Sequence, residues 1–87
     1  MYQLDFTKKA LADIEYHKTN STKALRIKIS SLLKELIHHP QSGTGKPELL
    51  KYEYSGMWSR RLNREHRIIY MITEDTVTVL SAKGHYK

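Results

Sequence analysis

Between residues 45 and 67 six cations, Lys46, Lys51, Arg60, Arg61, Arg64 and Arg67, are interleaved with three carboxylates, Glu48, Glu53 and Glu65. Cations in such a run form a surface for phosphate groups. A surface that only held phosphates would gain nothing from the acids, because a carboxylate among cations weakens anion binding. Acid–base chemistry on a phosphodiester needs at least one, since a general base has to stand beside the cations that steady the developing charge. The chain ends Lys83-Gly84-His85-Tyr86-Lys87, and a histidine, with an ordinary pKa near about 6.5, is the side chain best suited to protonate a leaving 5′-oxygen near neutral pH. RNA carries its own nucleophile, the 2′-hydroxyl. A base, an acid and cations therefore suffice to cut it, with no metal and no other cofactor. The competing reading of His85 is a solvated tail histidine.

Other chemistries find less support. The chain has no cysteine, so a disulfide framework, a thiol nucleophile and a cysteine-based zinc site are all excluded. A two-metal nuclease would want clustered carboxylates, and those here are dispersed. Ser55 and Ser59 have no visible triad partners. Gly45-Lys46 is no phosphate-cradling P-loop, because Pro40 stands where the earlier glycine is needed and Pro47 where a Ser or Thr is needed. His38-His39 falls in the last turn of a helix, where the dipole favours an imidazolium, and lacks accompanying ligands at metal-binding spacing.

The elements that must position these residues are readable in order. The 87 residues, below the usual domain mode, predict a single domain over 1–87 with one modest core. Fifteen Lys/Arg against nine Asp/Glu give a formal charge of +6, which suits a polyanionic partner. No apolar run is long enough for a membrane span and no export signal opens the chain, so a cytoplasmic protein without a membrane partner is expected. Alternation over 2–6 predicts a short strand. Thr7 can cap a helix with Ala10, Leu11 and Ile14 on its apolar face, ending near residues 19–20. A second helix begins after Asn20, Ser21 and Thr22, carries the stripe Leu25, Ile29, Leu32, Leu33, Leu36 and Ile37, and stops before Pro40. Strands are predicted at 49–53, 58–62, 66–72 and 76–83, joined by short polar turns. The layout is α+β, β-α-α-β-β-β-β, with two helices on one face of a twisted, mainly antiparallel sheet. Period-two alternation sets Trp58, Arg60, Leu62, Ile68, Tyr70 and Ile72 toward the helices, and Ser59, Arg61, Arg67, Ile69 and Met71 on the other face. The uncovered face is the natural place for a ligand.

Four stretches in this order, 45–51 (Gly-Lys-Pro-Glu-Leu-Leu-Lys), 55–61 (Ser-Gly-Met-Trp-Ser-Arg-Arg), 65–67 (Glu-His-Arg) and 83–86 (Lys-Gly-His-Tyr), closely resemble the Txe/YoeB family of the RelE-like superfamily, over the whole chain. The resemblance implies a bacterial addiction-module toxin that cleaves mRNA in the ribosomal A site, contacts 16S rRNA there, is neutralised by a cognate antitoxin, and has a homodimer as a possible state. Carried over residue by residue, it implies Glu48 as general base, His85 as general acid, and Lys51, Arg61 and Arg67 as cationic stabilisers. Tyr86 would help shape the site and Glu65 would orient Arg67. Lys46, Lys51, Arg60, Arg61 and Lys83 are the candidate substrate contacts. The sequence departs from the family pattern at Ala82, where several relatives have cysteine, at Lys87, which extends past the usual terminal tyrosine, and at His17, where a large aromatic is common. Two other readings compete: a catalytically silent basic module that holds RNA or DNA, and a protein-interaction domain with an acidic partner. The first explains the charge equally well, though not Glu48 between Lys46 and Lys51; the second is partly contained in the toxin reading, since the antitoxin would be such a partner.

Overall fold

Two threonines start the two helices in the same way. In the computed structural model, which describes residues 1–84, the Thr7 hydroxyl accepts the Ala10 N–H at the start of α1 (Lys8–Asn20), and the Thr22 hydroxyl accepts the Leu25 N–H at the start of α2 (Lys23–His38). Each cap satisfies an N–H that the helix itself leaves without a partner, worth about 1 kcal/mol. Leu25, Ile29, Leu32 and Leu36 of α2 are buried as their spacing predicts, and the helix ends short of Pro40. His38 and His39 lie exposed at that end.

Five strands, β1 (Gln3–Phe6), β2 (Glu48–Leu49), β3 (Met57–Arg61), β4 (Arg67–Ile72) and β5 (Thr76–Ser81), form one sheet in the order β1-β5-β4-β3-β2. Strands β2 to β5 pair antiparallel in sequence, while β1 lies parallel to β5 with Leu4 opposite Val77. Parallel pairing requires a long connection, and both helices and three strands intervene here. Trp58 stands opposite Tyr70, and Arg60 opposite Ile68. Leu62, Ile68, Tyr70, Val77 and Val79 join Ala10 and the α2 leucines in the core, with Trp58 and Ile72 packed against it. The helices therefore cover that face of an α+β sheet. Met57, Ser59, Arg61, Arg67, Ile69 and Met71 fall on the other.

Two strands are shorter than their sequence suggests, for different reasons. The strand expected over 49–53 ends after Leu49, because Tyr52 adopts a left-handed backbone (φ 59°) that extended structure cannot accommodate, and a 3-10 turn (Tyr52–Tyr54) follows. The strand expected to reach residue 83 stops at Ser81. Beyond it Ala82 takes its partners from helix α1: its N–H donates to Asp13 Oδ2 (2.9 Å), and its carbonyl accepts from His17 Nε2 (2.7 Å). Two helical side chains thus stand in for a strand.

Arg60 is the main correction to the sequence reading. Expected as a substrate contact, it is fully buried on the helix-facing side of β3, where its guanidinium organises the loop between α2 and β2. Nη1 donates to Glu35 Oε1 at 2.8 Å, Nη2 to the Ser42 carbonyl at 2.7 Å and to the His39 carbonyl, and Nε to the Tyr70 hydroxyl at 3.2 Å. Tyr70 in turn donates to the Pro40 carbonyl (2.7 Å). A buried cation survives only when paired and hydrogen-bonded. Burial works to raise the Glu35 pKa, but hydrogen bonds from Thr44 and Arg60 and the Arg60 charge outweigh it and hold the carboxyl below the ordinary glutamate value. Burial raises the Tyr70 phenol against the opposing pull of Arg60, so Tyr70 stays a neutral donor at physiological pH.

Candidate active site

The loop held by Arg60 delivers the first site residues. Gly45 lies along β3, its carbonyl accepting the Arg61 N–H at 2.7 Å. Only glycine fits there, since φ is +85° and a Cβ would come within 2.8 Å of the Arg61 carbonyl oxygen. Lys46 follows in the left-handed region (φ 52°), and Pro47 leads into β2. The register then sets Glu48 opposite Ser59, and Ser59 opposite Ile69, with Arg61 opposite Arg67. Side chains directly opposite share a face. Glu48, Ser59, Arg61 and Arg67 therefore share the face away from the helices, where Ser59 itself is buried and Lys46, Pro47, Glu48, Arg61 and Arg67 line a cleft of about 220 Å³.

Within the cleft Arg67 is the connecting residue. Its Nη1 lies 3.8 Å from Glu48 Oε1 and donates to Ser59 Oγ at 3.3 Å. The Glu48 side chain is 56% exposed and that of Arg67 18%. A pair this open contributes roughly 0–1 kcal/mol to stability. Glu65, expected to orient Arg67, is exposed in the β3–β4 turn, and among the described residues the carboxylate paired with Arg67 is Glu48.

Residues 82–84 are tied to α1 and to the start of β4, the strand that carries Arg67. The Arg67 N–H donates to the Gly84 carbonyl (3.0 Å), and the Gly84 N–H donates to His66 Nδ1 (2.9 Å). The His66 ring stacks edge-on against His17 at 4.7 Å, and His17 holds Ala82. Removing the Asp13 acceptor would leave the Ala82 N–H buried and unpaired, a cost of about 1–3 kcal/mol.

This sheet, with its cleft and its tethered C-terminal segment, can be set beside known proteins. The family model for the YoeB-like toxin of bacterial type II toxin-antitoxin systems matches residues 6–86. The chain belongs to that family. Toxin YoeB of Synechocystis is 38% identical over 85 residues, covering 98% of each chain. Among solved structures, the YoeB–YefM complex from Staphylococcus aureus superposes with a TM-score of 0.83 at 36% identity, covering 99% of both chains. The YoeB dimer from the same organism gives 0.84 at 36% identity over 98% of each.

In this YoeB-like chain the structure brings together Glu48, Arg61, Arg67 and Lys46. Lys51 is exposed in the turn that follows β2. Lys83 is exposed, with its ammonium 4.0 Å from the centre of the Tyr16 ring on α1, a cation–π contact. Arg60 is removed from the surface altogether. His85 and Tyr86 lie outside the described residues. The sequence reading missed Asp13, His17 and His66 as anchors of the segment before them. Buried Asp13 and His17 stand four residues apart on one face of α1, a spacing that could have flagged a polar contact inside the core.

Proposed function

We propose that this YoeB-like chain is an endoribonuclease that cuts mRNA in the ribosomal A site and so stops translation. Glu48 takes the proton from the substrate 2′-hydroxyl, whose oxygen attacks the adjacent phosphorus. The phosphorane charge is spread over Arg67, Arg61 and Lys51. As the P–O5′ bond breaks, His85 gives a proton to the leaving oxygen, and the products are a 2′,3′-cyclic phosphate and a 5′-hydroxyl. Tyr86 shapes the site around His85, and Lys46 and Lys83 contact the substrate. No metal or other cofactor enters any step.

The observation that carries this reading is the placement of Glu48 beside Arg67 in a cleft lined otherwise by cations and a proline. A surface built only to bind phosphate is weakened by such a carboxylate, whereas general-base catalysis requires it. The ribosome, through its 16S rRNA, presents the mRNA, which places the toxin in the cytoplasm. Because a relative has been solved with YefM and as a dimer, we further infer a YefM-type antitoxin as the neutralising partner and a homodimer as an accessible state. Inducing the chain without an antitoxin and following labelled amino-acid incorporation tests the reading. Incorporation should collapse before growth ceases. Normal protein synthesis with abundant folded product would favour the silent binding module.

A further inference from the structure

Next to the Glu48 cleft lies a larger one, of about 500 Å³, lined by Lys28, Arg61, Asn63, Arg64 and Arg67. It shares two walls, Arg61 and Arg67, with the Glu48 cleft. Its lining holds four cations, one amide and no carboxylate. Lys28 comes from α2 and Arg64 from the β3–β4 turn, so two separate elements deliver charge to one concavity. Among the described residues Lys28, Arg61 and Arg64 form no ion pair. On α2, the positions one turn from Lys28 are Ala24, Leu25, Ser31 and Leu32, so its own helix supplies no acid. The acid next to Arg64 in the chain, Glu65, is exposed and outside the lining. The Asn63 side-chain oxygen Oδ1 accepts from the N–H groups of Glu65 and His66 (2.9 and 2.8 Å), which leaves its side-chain NH2 as a neutral donor at the cleft. Converging like charges are unfavourable until an anion enters, and an entering polyanion also releases the counter-ions they hold.

We propose that this cleft is a second phosphate-binding subsite, for an RNA backbone phosphodiester next to the one being cut. The proposal rests on the reading above for the identity of the polyanion as RNA. The two clefts divide the work. The one containing Glu48 holds the scissile phosphate, and the one without a carboxylate grips the neighbouring backbone through Lys28, Arg64 and the Asn63 amide. Arg61 and Arg67 bridge them. Because the shared walls make the path continuous, the gripped phosphate belongs to the same strand as the cut.

The test uses the full chain carrying Lys28→Gln and Arg64→Gln together, neither of which has a part in the chemistry. Two probes are used: a single-stranded oligonucleotide 2′-O-methylated throughout, so that it cannot be cut, and vacant ribosomes. Oligonucleotide affinity at low salt is expected to fall roughly tenfold or more. The slope of log affinity against log salt should shrink by about one for each phosphate that the variant no longer neutralises. The single-turnover rate on saturating programmed ribosomes should stay at the parent value, because the cleft holds and does not react. Weaker binding to ribosomes with no change on the oligonucleotide would assign the cleft to ribosomal RNA and overturn the same-strand assignment. Unchanged affinity and salt slope on both probes would overturn the subsite. Binding is read without cleavage, so a parent chain that binds RNA in this way and fails to cut it would count against the nuclease reading alone.

Discussion

Glu48→Gln is expected to lower the single-turnover rate of mRNA cleavage by ~100-fold or more, the usual scale for a lost general base. It should leave ribosome binding unchanged or tighter. The two effects separate because Glu48 has opposite consequences for the two steps. In the bound complex its charge opposes the phosphate, and in the transition state it removes a proton. The partly exposed contact with Arg67 at 3.8 Å itself adds little stability. Glu53, exposed in the 3-10 turn, is the control. Glu53→Gln makes the same change in charge nearby and should cleave at the parent rate. Arg67→Ala should lower turnover more than affinity, because the charge it stabilises grows toward the transition state. A Glu48→Gln protein cleaving at the parent rate would remove Glu48 from the base role.

Arg60→Ala is expected to act through folding. It leaves the Glu35 carboxylate and the carbonyls of His39 and Ser42 without their common donor; Glu35 is 26% exposed and keeps its bond from the Thr44 N–H, so the cost comes chiefly from the lost hydrogen bonds and the space the buried side chain vacates, about 2–4 kcal/mol. A domain of this size has about 5–15 kcal/mol of stability in all. The urea midpoint should therefore fall sharply. Arg60→Lys should rescue little, because a single ammonium cannot reproduce the five-donor fork. The difference between parent and variant should also narrow in acid. The Glu35 pKa is lower in the folded than in the unfolded chain, so its contribution is complete above the unfolded value and is lost as pH falls through the folded one. If Arg60 instead contacted substrate, Arg60→Ala would weaken RNA binding and leave the urea midpoint in place.

Arg60 also shows how far the sequence could be read. Period-two alternation already grouped it with Trp58 and Leu62 on the helix-facing side, while its charge suggested a phosphate contact, and the two inferences conflict. Periodicity was the better guide, because the register of a strand is common to all its residues and a single charge can be satisfied locally. The same periodicity sorted Arg61 and Arg67 onto the uncovered face, and the α2 stripe was legible from spacing alone. What escaped depended on backbone conformation or on contacts far apart in the chain. Nothing in the type of Tyr52 announces a left-handed backbone that ends β2 early. The bonds from Asp13 and His17 to Ala82 span 69 and 65 residues, and Lys28 reaches the β3–β4 turn from another layer of the fold. Glu48 and its neighbours stood out as a motif because the loop, β2 and β3 that carry them are close in sequence.

In the proposed mechanism the substrate's own 2′-hydroxyl is the nucleophile, with Glu48 to deprotonate it. The most direct test is single-turnover cleavage of ribosome-bound mRNA carrying one 2′-deoxynucleotide on the 5′ side of the scissile phosphate. Cutting at that bond should be abolished while ribosome binding persists, and the all-ribose control should yield a 2′,3′-cyclic phosphate end. Cleavage of the deoxy substrate at the control rate would contradict the mechanism, and would make water the nucleophile.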